Sequence, residues 1–177
     1  VNVLVAGVGN VFLGDDGFGP EVARRLAASE LPPGVRVTDY GIRGLHLAFD
    51  LLEGYDRLVL IDALPAGDGP PGETVVLEIV AQPANTQPAN AQPANAQTAN
   101  AQTANAQTAS AFDAHGMDPA TVLAQVSRLG GTLPPSYVVG CRAVSVAEGI
   151  GLSPQVEAAI PAAVAAVRAL LVPAGRT

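Results

Sequence analysis

Four consecutive apolar residues, Leu58-Val59-Leu60-Ile61, run into an acid, Asp62. A strand that is apolar at every position, rather than at every second one, has both faces covered, as in a parallel sheet layered between helices. The rest of the chain alternates to match. Val1–Ala6 reads as a strand, followed by a Gly-rich turn over Gly7–Gly19 and a helix over Pro20–Ser29 with Val22 and Leu26 on one face. Val35–Asp39 reads as a second strand, and Leu45, Phe49 and Leu52 mark a second helix by their i, i+4, i+7 spacing. Residues 63–72 are too few for a parallel crossover, which needs about a dozen. The strand pattern at Glu73–Val80 is therefore expected to be antiparallel, at or near an edge. Asp118-Pro119 caps a helix running to about Leu129, and Ser136–Cys141 is the last strand. Ser153-Pro154 opens a final helix with the stripe Val156, Ile160, Val164, Val167 and Leu171, which Pro161 should kink. The alternation predicts a doubly wound α/β sheet with helices on both faces.

Residues 82–111 interrupt this pattern with six pentapeptides, from Gln82-Pro83-Ala84-Asn85-Thr86 to Gln107-Thr108-Ala109-Ser110-Ala111. They hold no charge, no aromatic and no large aliphatic residue, so they bury too little apolar surface to offset their ordering entropy. A repeat solenoid would need a bulky inward residue where only Ala is available. The tract is expected to be a disordered insertion within one domain spanning residues 1–177. The net charge is −7, and all nine cations are Arg, which argues against a nucleic-acid partner. A single Cys excludes a disulfide framework within the chain and fits a reducing compartment. No apolar run approaches the roughly 20 residues that span a bilayer, and Val1–Ala6 lacks the basic start of a signal peptide. A soluble, cytoplasmic protein is expected.

Ligands of doubly wound sheets bind at the carboxyl ends of the strands. Three features sit there: the Gly7–Gly19 turn, Asp62 at the end of the third strand, and His115 just before a capped helix. A nucleotide-binding α/β module is the lesser alternative: Asp39, at the end of the second strand, occupies the place of a ribose-binding acid, but Phe12 stands where the third Gly of a dinucleotide fingerprint is needed. Asp15 and Asp16 would also repel a pyrophosphate at the helix entrance. One of the two acids can serve as a cap for the helix, but a pair is more than a cap requires. A carboxylate ending a buried strand, as at Asp62, is costly unless paired or liganded. The positive end of the following helix would favour neutral, metal-binding imidazole at His115. His46 falls on the polar side of its helix. Two carboxylates and an imidazole at one sheet edge make a metal site with open positions. No G-x-S-x-G elbow or H-E-x-x-H pair is present. Cys141 ends a strand, where a lone Cys is more often buried structure than nucleophile.

The ordered set Gly7-x-Gly9-Asn10, Gly14-Asp15-Asp16-Gly17-x-Gly19, Ile61-Asp62-Ala63, His115-Gly116-Met117 and Gly149-Ile150-Gly151-Leu152-Ser153 resembles the hydrogenase maturation proteases. The resemblance runs from the N-terminus to the last helix, broken only by the repeat tract. It implies a three-layer α/β/α fold with a twisted, mostly parallel five-stranded sheet and one antiparallel strand. It implies an endopeptidase, of aspartic type in family classification, that removes a C-terminal extension from the precursor of a nickel-iron hydrogenase large subunit. By motif position it assigns Asp16, Asp62 and His115 as catalytic and metal-binding residues. The nickel they recognise is supplied by the precursor, which is the partner. A non-cleaving nickel checkpoint would use the same three residues.

Replacing residues 82–111 with a short Gly-Ser bridge should leave fold and activity largely intact, since closure entropy grows only logarithmically with loop length. Thermal unfolding of the deletion variant checks this: a large drop in Tm would show that the tract packs.

Overall fold

A computed structural model describes residues 1–79 and 119–172. The repeat tract at 82–111 and His115 lie outside the described residues. The described elements, in order, are β1 (Val3–Val8), a 3-10 turn (Gly14–Gly17), α1 (Phe18–Ala27), β2 (Val35–Gly41), α2 (Gly44–Leu51), β3 (Arg57–Leu64), β4 (Thr74–Ile79), α3 (Pro119–Arg128), β5 (Ser136–Arg142) and α4 (Pro154–Leu171). The strands form one sheet in the order β2-β1-β3-β5-β4. All neighbours are parallel except β4 and β5. The antiparallel strand therefore lies at the edge, where the short connection after β3 required it.

The apolar run in β3 divides between two cores. Val59 and Ile61 join Val3, Val5, Phe18, Val22 and the α4 residues Val156, Ile160 and Val167 on one face. Leu58 and Leu60 join Leu4, Leu47, Leu51, Val122 and Val126 on the other. Each such side chain, taken wholly out of water, contributes about 1.5–3 kcal/mol. The period-two alternation of side chains splits one continuous run between α1 and α4 on one side and α2 and α3 on the other. These are the three layers.

Helix α2 differs from its sequence pattern. Leu47, Ala48 and Leu51 face the sheet, while Leu45, Phe49 and Leu52 are exposed. The segment carries two apolar stripes, so periodicity alone does not fix its rotation. His46 is exposed, as expected. Helix α4 runs unbroken through Pro161, whose missing N–H falls on the exposed side. With 18 residues and a mean hydropathy of 1.3, α4 comes closer to the length of a membrane span than the apolar runs of the sequence suggest. Val156, Ile160, Ala163 and Val167 of that helix are fully buried against the sheet, so it serves as a core helix.

The amino end of α1 sits directly on the carboxyl ends of the central strands. A Cβ on Gly19 would lie 2.2 Å from the carbonyl oxygen of Val8 and 2.3 Å from that of Ile61. A Cβ on Gly7 would lie 2.5 Å from the carbonyl oxygen of Gly19. Only glycine permits this backbone-to-backbone approach. Gly19→Ala should cost about 3 kcal/mol and lower Tm by about 10 °C, because the atoms it meets belong to strands and cannot swing away. Gly54, with φ +85° and nothing within 4 Å of where a Cβ would stand, is the control. There Ala should cost only about 1 kcal/mol of backbone strain. Equal Tm values for the two variants would show that α1 is not seated this tightly.

Candidate active site

The seating of α1 brings two acids to the end of β3. Asp16 lies in the 3-10 turn that leads into α1 and is 5% exposed; Asp62 lies in β3 and is 7% exposed. The backbone N–H of Asn10 donates to Asp16 Oδ2 at 2.7 Å. Asn10 in turn uses its side-chain Oδ1 to accept the Phe12 N–H at 3.0 Å and its carbonyl to accept the Leu13 N–H. The loop after β1 thus folds around the Asp16 carboxylate and orients it. Burial pushes the Asp62 carboxyl well above the usual carboxylate range, and the charge of Asp16 pushes it further; a hydrogen bond from the Ala63 N–H works against both. The negative charge of Asp16 is thus felt at Asp62, as expected of carboxylates sharing a site.

Asp15, next to Asp16 in sequence, points elsewhere and does a different job. It is 1% exposed. Its Oδ2 accepts the N–H of Val144 at 2.8 Å, the N–H of Ser145 at 3.1 Å and the hydroxyl of Ser153 at 3.0 Å. Its Oδ1 accepts the N–H of Ser153 at 2.6 Å. Backbone bonds reinforce this clamp: Asp15 N–H to the Ser145 carbonyl, Gly14 N–H to the Gly149 carbonyl, and Gly149 N–H to the Phe12 carbonyl. Burial alone would raise the Asp15 carboxyl, but the bonds from Ser153, Ser145 and Val144 hold it below its usual value. Asp15 is therefore not a helix cap, and no side-chain cap bond is made at either the 3-10 turn or α1. Ser153 likewise does not cap α4; its hydroxyl goes to Asp15.

Sequence reasoning undervalued Asp15, Asn10 and Ser153. The clamp joins residues 129 to 138 positions apart, a separation that periodicity does not register. The surplus acid in Gly-Asp-Asp-Gly was the available signal. Of the three assigned residues, Asp16 and Asp62 are brought together, and His115 lies outside the described residues. Among the described residues no group of three or more His, Cys, Asp or Glu side chains is clustered tightly enough to hold a metal. Cys141 is fully buried in β5, and its thiol is pushed up to about 11 by burial and the charge of Asp15, so it is not a thiolate nucleophile. Asp39, at the carboxyl end of β2, turns back to accept the Gly41 N–H at 2.8 Å.

The α/β/α fold is shared with several solved endopeptidases. The hydrogenase maturating endopeptidase HybD from Escherichia coli superposes with a TM-score of 0.72 at 26% identity, over 97% of this chain and 92% of that one. The family model described as hydrogenase maturation protease matches residues 98–169. The hydrogenase 2 maturation protease of Escherichia coli is 28% identical over 97% of this chain and 91% of its own. The chain is thus similar, in sequence and in fold, to hydrogenase maturation proteases. Shorter alignments are stronger in identity: 38% with a putative hydrogenase maturation protease of Methanocaldococcus jannaschii and 42% with the HupD protein of Rhodobacter capsulatus. These span only 42% and 32% of the length of those two relatives.

The opposed environments of Asp15 and Asp62 generate a prediction about stability. Asp15→Ala leaves buried N–H groups unpaired and should cost about 3 kcal/mol at pH 7. A carboxyl held below its ordinary value of 3.8 stabilises the fold above that pH and loses the contribution as pH falls through its lowered value. A raised carboxyl has the opposite sign: its penalty is absent below 3.8 and grows as pH rises toward its raised value. Asp62→Asn should therefore stabilise the chain at pH 7 and be neutral near pH 3. Urea unfolding of wild type and both variants across that range checks the signs; a destabilised Asp62→Asn at pH 7 contradicts the assignment.

Proposed function

We propose that this chain is an endopeptidase that removes the C-terminal extension of a nickel-iron hydrogenase large-subunit precursor after nickel insertion. The observation that carries the proposal is the placement of two buried acids at one sheet edge, Asp16 in the turn before α1 and Asp62 at the end of β3, close enough for the charge of Asp16 to act on Asp62. A carboxylate held in a buried place against a like charge gains from a cation, and a divalent ion suits two carboxylates at once. The nickel is cargo of the precursor, so the ion that relieves the repulsion arrives only on correctly loaded substrate. Asp16, Asp62 and His115 complete its coordination. A carboxylate must give up its proton to bind a cation, so recognition weakens as pH falls. With the ion in place, the scissile carbonyl is polarised, or one of the two carboxylates takes a proton from the attacking water. The reaction belongs to the cytoplasm, where the precursor is loaded, and the hydrogenase precursor is the partner.

The test is mass spectrometry of nickel-loaded and nickel-free precursor, each mixed with purified chain. Loaded precursor should lose its C-terminal peptide, while nickel-free precursor and casein stay intact. Asp16→Ala, Asp62→Ala and His115→Ala should each reduce processing more than 100-fold, on the order of one lost ligand in a small site, with circular dichroism unchanged. Wild-type rates in His115→Ala would refute the site. Loaded precursor that binds but keeps its C-terminus would make the chain a nickel checkpoint instead.

A further inference from the structure

Helix α2 carries a second apolar face that the core does not use. Leu45 and Phe49 are 52% and 51% exposed, and Leu52 and Ile42 are exposed with them. Leu45, Phe49 and Leu52 fall on one side of the helix by their spacing, and Ile42 stands in the turn just before it. Together they leave roughly 400 Å² of apolar surface in water, within the size range of patches that are often functional. The helix cannot roll to bury this face, because Asp50 is held from β2 by the Tyr40 hydroxyl at 2.5 Å and by Arg36 at 2.9 Å. The face begins at the sheet edge that holds the two acids. Ile42 follows Gly41, whose carbonyl accepts the Gly9 N–H at 3.0 Å, and the residue after Gly9 is Asn10, which donates to Asp16. Along β3, Asp62 follows Leu58 and Leu60 onto the side of the sheet that α2 covers. From Leu45 the face runs about 10 Å along α2, at roughly 1.5 Å per residue, and ends where Leu52 lies over Gly131.

We propose that the exposed face of α2 docks the folded body of the hydrogenase large-subunit precursor, while the acids at the sheet edge meet its cleavage site. The inference rests on the endopeptidase reading and adds to it a docking surface. Continuity with the acids selects the occupant. A chain that reaches Asp16 and Asp62 arrives at the carboxyl edge, and the body attached to it lies against what adjoins that edge on the α2 side. Area argues against a second copy, because this face offers about half of the roughly 800 Å² that each partner buries in a stable interface. A precursor that also covers the sheet edge supplies the rest, including Phe12, exposed in the loop that carries Asn10. An apolar ridge fixed on a helix suits an apolar groove in a folded partner, and it asks for no charge.

The test compares wild-type chain with the double variant Leu45→Gln/Phe49→Gln, since Gln is a good helix former and adds no charge. Nickel-free precursor measures binding without cleavage, and nickel-loaded precursor measures processing. The double variant should raise Kd and KM more than about tenfold, and kcat should change less than about twofold, because the loss is of apolar burial away from the acids. Leu45→Met/Phe49→Met should restore both. Unchanged KM in the Gln variant would overturn the docking face while leaving the endopeptidase intact. Nickel-free precursor that does not bind wild type at all would show that the acids alone supply the affinity, and would also overturn it. Binding that is lost in the Gln variant, on a wild type that never cleaves loaded precursor, would support the face and overturn the endopeptidase. A Tm more than about 5 °C below wild type in the Gln variant would show that the face is covered within the chain itself. A concentration-dependent dimer in sedimentation that the Gln variant abolishes would assign the face to a second copy. Either result overturns the proposal.

Discussion

The Asp15 carboxylate joins two loops that sequence places far apart. Four donors, three from the backbone, converge on its two oxygens from residues 144, 145 and 153. Charge-assisted bonds of this kind are roughly twice as strong as neutral ones. Their effect reaches the neighbouring residue, because Asp16 is held in the same 3-10 turn and has no freedom to turn independently. The loop before α4, which carries Ile150, is fixed by the same clamp. The turn that carries Asp16 and the loop before α4 therefore share one anchor.

Asp15 and Asp62 show how environment divides the labour among like residues. Both are buried. Asp15 is surrounded by donors, and its charge is stabilised. Asp62 has the Ala63 N–H and the opposing charge of Asp16, and its charge is penalised. A carboxylate with satisfied oxygens contributes structure, whereas one held against a like charge contributes reactivity. The distinction lies in tertiary partners, and Asp-Asp in a sequence gives no hint of which acid will receive which.

That difference sets how far the sequence could be read. The two-faced character of β3 was legible because it is local: four apolar residues in a row need cover on both sides. The edge position of β4 followed from a connection too short for a crossover. Asp62 and the Gly-Asp-Asp-Gly turn were found because acids at buried strand ends and helix entrances violate the local rule. The rotation of α2 was not legible, because Leu47, Ala48 and Leu51 compete with Leu45, Phe49 and Leu52 on nearly equal terms, and only packing against β3 and α3 decides between them. The role of Asp15 was not legible either, because its partners arrive from more than a hundred residues away.

The repulsion between Asp16 and Asp62 persists because neither acid can retreat. Asp62 is fixed in a central strand with parallel neighbours on both sides. Asp16 is fixed by Asn10 from one direction and by the Asp15 clamp from another. The contact of Gly19 with the carbonyls of Val8 and Ile61 then sets the separation of turn and strand, with no side chain between them to yield. In a looser protein two buried carboxylates would drift apart or turn to water. Here the backbone holds them in place, so the penalty on the Asp62 charge is not relieved by movement of the acids, and a proton on Asp62 is what removes it.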